Sequence, residues 1–531
     1  MATMFPCPNC GGQLRFSIKT QKLKCESCGE FQNVKEYKPN DEITADSINT
    51  NIYVCPNCAG EIQLIDNDGM EFCPFCGTQA TMQERFSNEG APKYILPFEV
   101  TKGVAREKYG AFTKKIHFAP DGLNDEANIE KLVPLYVPYH MYEYSLHEDV
   151  SYKGTHSFSK GQYWITDYAN VILNMGVENV QVPFDASRAL DDTIANAIEP
   201  FPMNKLKKFN PNYLAGFFVE NSSVDKDLYI SDSEDKAVDY VYNKALQETK
   251  TYVPDGNEKS SIRNKIINGL KFNGVEGAYL PLYFMTTRYD DRVAYSIING
   301  STGEAYMDMP IEKHKMFKSA IKYSAILFVI ILLASFIFSF SYQIKNLCAI
   351  SCFVSALIAM TGAILANKRY RADNHLDDKG YFKTAESAKK RKKEAEKRKS
   401  SFPLSTVGLA AIILGLSAIV FCISEGYWDY LISMSVDCGY SLGAIMAFIA
   451  LIKVGKGKKK VMLLGLLGWA ISLVIRVINL PNDIYYYGAL IVAFVIIIIS
   501  INAIVDEYNA FATRPSPQFM KKGGGIENAK N

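Results

Sequence analysis

Long apolar runs dominate the chain from residue 318 onward. They fall near 318–340, 345–366, 403–423, 431–453, 461–480 and 484–505. At 1.5 Å per residue, each is about long enough to cross the hydrocarbon core of a bilayer. Before residue 317 the pattern shortens. Helices are expected near 99–110, 187–199, 233–248 and 257–267, the third supported by apolar positions at helical spacing, Ala237, Val238, Val241 and Ala245. Two aromatic-rich stretches predict strands: Leu132 to Tyr139 followed by Tyr142 to Tyr152, and Ala278 to Phe284 followed by Arg288 to Ile297. Each contains an acidic segment read as a turn, His147-Glu148-Asp149 and Asp290-Asp291. Asn299-Gly300 and Thr302-Gly303 predict tight reversals before Glu304 to Met307. The reading is an α+β domain over 91–312, its two similar stretches pointing to an internal duplication.

Charge orients the apolar half. Lys313, Lys315, Lys318 and Lys322 bracket the first run. The linker 367–402 carries thirteen Lys/Arg, including Lys389 to Lys393, and the loop before the fifth run carries Lys456, Lys458, Lys459 and Lys460. The loops near 341–344, 424–430 and 481–483 contain no Lys or Arg, although Lys345 sits just past the first. The excess of basic residues on alternate loops predicts six plasma-membrane spans, with both termini and the basic linkers cytoplasmic. Linker 367–402 is read either as a topology signal with a solvated face or as a contact for anionic lipid headgroups at the inner leaflet. Asp437 interrupts the fourth run and Arg476 lies in the fifth, near the same outer level. A buried charge is costly unless matched, so the two are expected as an intramembrane pair or as separate groups reaching headgroups or water.

Cysteine changes the picture of the first 86 residues. Eight of the twelve cysteines form Cys7-x2-Cys10, Cys25-x2-Cys28, Cys55-x2-Cys58 and Cys73-x2-Cys76. Paired knuckles at this spacing bring four thiolates to one tetrahedral zinc, the closed structural arrangement with no open position for water. Disulfides or an iron–sulfur site are the alternatives; no apolar leader opens the chain to argue for the oxidising route. The expectation is two zinc ribbons, over 1–45 and 50–86, and two zinc ions per chain. Residues 1–80 hold six Lys/Arg against ten Asp/Glu, a formal −4, which argues against phosphate recognition. The whole chain, with 58 Lys/Arg and 56 Asp/Glu, is not a generally basic nucleic-acid binder.

Catalytic patterns are missing. The six histidines, His117, His140, His147, His156, His314 and His375, are scattered, and no phosphate-loop, HExxH or dinucleotide fingerprint is present. The chain is read as no enzyme.

The paired ribbons, the strand Tyr279-Leu280-Pro281-Leu282-Tyr283, the segment Asn299 to Gly303 and the apolar half resemble a group of Gram-positive bacterial multi-span membrane proteins. These are named for their zinc ribbons or for a likeness to a replication-restart helicase, and occur beside flotillin-like and phage-shock protein A homologues. The resemblance implies a multi-domain membrane protein: two four-cysteine ribbons, an α+β cytoplasmic domain, a six-span α-helical bundle over 318–508 and a cytoplasmic tail over 509–531. It carries over the eight cysteines as zinc ligands and no catalytic residue. It implies a non-enzymatic membrane adaptor that recruits a scaffold with a stomatin/prohibitin/flotillin domain, or a phage-shock protein A homologue, in membrane organisation or envelope stress. A channel or transporter subunit is the alternative, the six spans being enough for a pore in an oligomer. A membrane-tethered nucleic-acid-binding protein is a further one.

Overall fold

The computed structural model describes residues 5–38, 47–55, 61–64, 73, 83–116, 118–123, 132–188, 190–220, 222–248, 251–289, 292–337, 368–382 and 482–515, with scattered positions between 351 and 365 and between 463 and 475. Two strands organise the fold. β8 (Val133–Lys160) and β13 (Lys271–Tyr289) pair antiparallel from Phe284↔Val133 to Lys271↔Ser145. β9 (Tyr163–Asp185) returns along the other edge of β8, and β14 (Arg292–Asn299) returns along β13. β7 (Tyr94–Ile95) joins β13, β11 (Phe218–Glu220) joins β8, and β15 (Ala305–Met307) extends β14.

Burial of both strand faces explains why Leu132 to Tyr144 reads as a nearly unbroken apolar run. On one face Leu135, Val137, Tyr139 and Met141 pack with Leu280, Leu282, Ile297 and Ile194. On the other face, Tyr142, Tyr144 and Leu146 meet α3 (Ile230–Glu248) and α4 (Gly256–Gly269) through Val238, Val241, Ile262 and Ile266. A third cluster centres on Phe98, whose ring lies 4.6 Å from Phe217 and 5.1 Å from both Tyr136 and Tyr283. α1 (Lys102–Lys115) covers it with Ala105 and Tyr109. The segment His147-Glu148-Asp149, read as a turn, runs straight through β8, because β9 pairs with it residue for residue. The reversal comes at Gly161-Gln162, where Gly161 takes φ +66°. The second acidic segment does separate strands, Tyr289 pairing with Arg292.

The two ribbons are not the independent modules the spacing implies. β1 (Leu14–Ser17), β2 (Lys22–Cys25) and β3 (Phe31–Gln32) form a small antiparallel sheet of the expected kind. In the second unit, β4 (Ser47–Val54), β5 (Glu61–Leu64) and β6 (Gln83–Gly90) join the main sheet instead, β5 pairing with β11. The expected strand at 70–72 lies outside the described residues. The internal backbone bonds of the sheet thus reach the second unit through a strand more than 150 residues away, which cysteine spacing does not report.

The six-span bundle is also corrected. Among the described residues one helix, α6 (Ile484–Ala512), is long and apolar enough to cross a membrane by length and composition. The runs at 403–423 and 431–453 lie outside the described residues, as do Asp437 and Arg476. Those at 345–366 and 461–480 are described only at scattered positions. The first run forms most of α5 (Lys313–Ile337), which opens on Lys313 and Lys315. An apolar run states that a segment avoids water; it does not state whether lipid or protein covers it. On α6, Tyr486, Ala493, Ile496 and Ser500 are buried against protein. The multi-pass plasma-membrane placement with both termini cytoplasmic gives way, among the described residues, to a globular β-rich domain carrying one candidate spanning helix.

Candidate metal centre and acidic junction

Two knuckles face one another across β1 and β2. In the first, Gly11 N donates to Cys7 O at 2.8 Å and Cys7 N to Gly12 O at 2.6 Å. In the second, Gly29 N donates to Cys25 O at 3.1 Å and Cys25 N to Glu30 O at 2.8 Å. Gly11 and Gly29 take φ +71° and +76°, the left-handed region that closes each turn and that a side chain would strain. The four sulfurs of Cys7, Cys10, Cys25 and Cys28 all lie within 4.8 Å of one another. Cys7 Sγ is 3.7 Å from Cys28 Sγ, and Cys10 Sγ is 3.5 Å from Cys25 Sγ. These separations are far beyond a disulfide and close to the edge, about 3.8 Å, of a tetrahedron with zinc–sulfur bonds of about 2.3 Å. Amides of Cys28 and Ser27 pull Cys25 down to about 6, whereas neighbouring thiols outweigh the Gly12 amide and push Cys10 up to about 12. Four such groups cannot all ionise without a cation between them. The donor set therefore fits one structural zinc.

This centre is tied to the domain core. Phe16 packs 5.3 Å from the Tyr213 ring, Phe16 N donates to Ala215 O at 3.0 Å, and Asn212 Nδ2 donates to Val34 O and Tyr37 O at 2.8 and 2.9 Å. Gln21 Nε2 reaches Phe98 O at 2.8 Å. The expected second zinc is corrected: among the described residues only the Cys7–Cys10–Cys25–Cys28 set gathers as a metal-binding group. Cys55 and Cys73 are buried in the cluster with Leu96, Leu135 and Val137, and Cys58 and Cys76 lie outside the described residues. His140 is a core histidine, its Nε2 2.9 Å from Val224 O, and burial lowers its pKa.

A junction that no sequence motif announced lies where β9 ends. Asp185, Glu220 and Asp378 are almost wholly buried. Asp192 opens α2 (Asp192–Ala197) and accepts from Tyr229 Oη at 2.5 Å and from Lys379 N at 2.8 Å. The segment 375–382 docks here. Arg188 Nη2 donates to Tyr381 O at 2.7 Å, the Tyr381 ring stacks on His375 at 3.7 Å, and His375 Nδ1 lies 3.2 Å from Asp378 Oδ2. Lys379 Nζ pairs with Asp232. Gly380 fits because a Cβ there would stand 2.8 Å from Tyr229 Oη. Burial, then the neighbouring Asp378, pushes Asp192 up to about 7; burial pushes Glu220 up to about 8 and raises Asp185 and Asp378.

A pH dependence follows from the sign of those shifts. The docked segment holds a proton on Asp192 that the released segment gives up. Docking stability is complete below the free value of 3.8 and is lost as pH rises through about 7. Protection of the amides at 379–381 against hydrogen exchange, corrected for the intrinsic rate, is expected to fall between pH 5 and pH 8. Asp192→Asn should flatten this dependence. A profile that rises with pH contradicts it.

Beside the acids, three distant segments meet. Arg292 Nη2 donates to Asp373 Oδ1 at 2.7 Å and to Ala510 O and Thr513 O at 2.6 Å. Asn509 exchanges two hydrogen bonds with the backbone of Ile311, at 2.6 and 2.8 Å. Arg369 reaches the buried Glu507 at 3.4 Å, and Arg514 lies 3.2 Å from Asp191. After α6, β16 (Arg514–Pro515) pairs with β14.

The chain is similar to the uncharacterized protein YdjG of Bacillus subtilis (strain 168), 27% identical over 323 residues that make up 60% of this chain and 92% of that protein. It matches no protein-family model and no solved structure. The resemblance to double-ribbon, multi-span membrane proteins is corrected by the single four-cysteine cluster and the single candidate spanning helix among the described residues. With it fall the integral multi-span adaptor and its channel or transporter alternative, both of which required the bundle. The further alternative, a nucleic-acid-binding zinc-ribbon protein tethered by the same bundle, falls with it.

Proposed function

We propose that the chain is a non-enzymatic docking protein, a metal-stapled β domain that presents a rigid surface to a second protein. The observation that carries this reading is the junction. α6 continues directly into β16, a strand of the domain's own sheet, and Arg292 clamps its last turn. A helix joined in this way fixes the orientation of the domain instead of letting it swing on a linker. The four-thiolate centre supports the same reading, because a closed metal site stiffens a surface and leaves no coordination position for a substrate.

The flotillin-like protein, the phage-shock protein A homologue and anionic lipid headgroups are the partners we propose to test. The tagged full-length chain, purified in mild detergent with each protein candidate, should retain one at fixed stoichiometry by mass spectrometry. Flotation with vesicles should then show whether anionic lipid strengthens the complex. Recovery of the chain alone with both candidates, or turnover of a small molecule by the purified chain, counts against the proposal.

A further inference from the structure

Beyond residue 146 the β8–β9 hairpin leaves the cover of β13 and extends as a two-stranded arm. β12 (Val253–Pro254) touches its β8 side at Gly154 and Thr155. Among the described residues nothing pairs with the outer edge of β9. That edge carries Trp164, Tyr168 and Ile172, each 76–77% exposed. An edge strand this long, with large apolar side chains and one acid, is a template for another strand.

Backbone phase along the edge follows from the turn. Lys160↔Tyr163 closes a two-residue reversal with Gly161 at φ +66°, the type II′ form, so this pair exchanges hydrogen bonds within the hairpin. Alternation then directs the N–H and C=O of Trp164, Thr166, Tyr168, Asn170 and Ile172 outward. Residues 164–172 read Trp-Ile-Thr-Asp-Tyr-Ala-Asn-Val-Ile. The pattern is palindromic in kind about Tyr168: apolar, apolar, polar on either side.

We propose that the arm pairs with a second copy of this chain, β9 against β9, antiparallel and in register on Tyr168. In that register Trp164 stands opposite Ile172 of the second copy, Ile165 opposite Val171, and Thr166 opposite Asn170. Asp167 falls opposite Ala169, so its own charge is not met by its twin. The outward phase places every even-numbered pair in hydrogen-bonding position. A register shifted by one residue meets Trp164 with Val171 and breaks that phase. The apolar matches on both faces and the avoided acid–acid contact select this occupant over an unrelated strand. The two-fold axis closes the interface, so the product is a dimer and not a fibre. The pairing does not depend on the docking role proposed above.

Cross-linking of the full-length chain in mild detergent tests the register. Tyr168→Cys alone should form a disulfide-linked dimer under mild oxidation. Trp164→Cys and Ile172→Cys should cross-link when mixed and not when alone, since like positions would stand about 27 Å apart at 3.4 Å per residue. Light scattering should give a dimer for the wild type and half that protein mass for Tyr168→Lys, which sets two cations face to face. Asn170→Pro removes an outward N–H without touching the hairpin ladder and should also give the monomer. A wild-type monomer, a dimer that survives Tyr168→Lys and Asn170→Pro, or self-cross-linking of Trp164→Cys as strong as the mixture overturns the proposal.

Discussion

Cys25→Ser is expected to release the metal of the Cys7–Cys10–Cys25–Cys28 centre and to unfold β1, β2 and β3 together. The hairpin is too short to hold its own core, so the metal supplies most of its folding free energy. Cys25 is one of the two buried ligands, and its amide also closes the second knuckle on Glu30 O at 2.8 Å. Loss of the hairpin strips Phe16 from Tyr213 and Phe217 and breaks the bonds from Asn212 to Val34 O and Tyr37 O. The main sheet persists, because the β8–β13 ladder does not pass through the centre. Elemental analysis should show the metal content per chain falling by one zinc. Proteolysis should cut within 5–38 while the domain from 132 to 307 stays resistant. Retention of the metal, or iron in its place, contradicts the assignment.

Arg292→Met is expected to have the second largest effect, at the base of α6. The guanidinium satisfies Asp373, Ala510 O and Thr513 O at once, its Nε adding a further bond to Thr513 O at 2.9 Å. Removing it leaves a half-buried carboxylate and two helix-end carbonyls without this donor. That costs about 3 kcal/mol, the usual penalty for breaking a largely buried charge-assisted set. The end of α6 should separate from β14, read as faster proteolysis at 505–515 and a lower unfolding midpoint. Arg292→Lys should recover only part, since an ammonium cannot reach the three acceptors with a planar fork. Equal stability of Arg292→Met and wild type would show that β16 and Asn509 hold the helix by themselves.

Legibility differed sharply between these sites. The first four cysteines were readable because both knuckles are local, closed within a few residues by glycines at fixed positions. The same spacing misled at Cys55 and Cys73. There β5 pairs with β11, a partner that lies far along the chain, and the buried cysteines join the core beside Leu135. Helix α3 followed from apolar periodicity, and the reversals at Asn299 and Thr302 from their turn residues. The turn assigned to His147-Glu148-Asp149 failed because β9 supplies the backbone partners there, and all three side chains stay exposed within a long strand.

The sequence by itself determined the local chemistry of this protein: the Cys7–Cys10–Cys25–Cys28 knuckles, the helical faces and the tight turns, each set by residues within a few positions of one another. Tertiary structure alone decided what those pieces meet. It brought Asp185, Asp192, Glu220 and Asp378 to one corner, although Asp185 and Asp378 are 193 positions apart, and buried acids carry no signature in the residues around them. It joined β16 to β14 across more than 200 residues, and among the described residues it left the outer edge of β9 open. Hydrophobicity records only that a segment leaves water. Whether a sheet, a helix, a lipid or a second chain receives it depends on contacts between distant positions, which no window of the sequence contains.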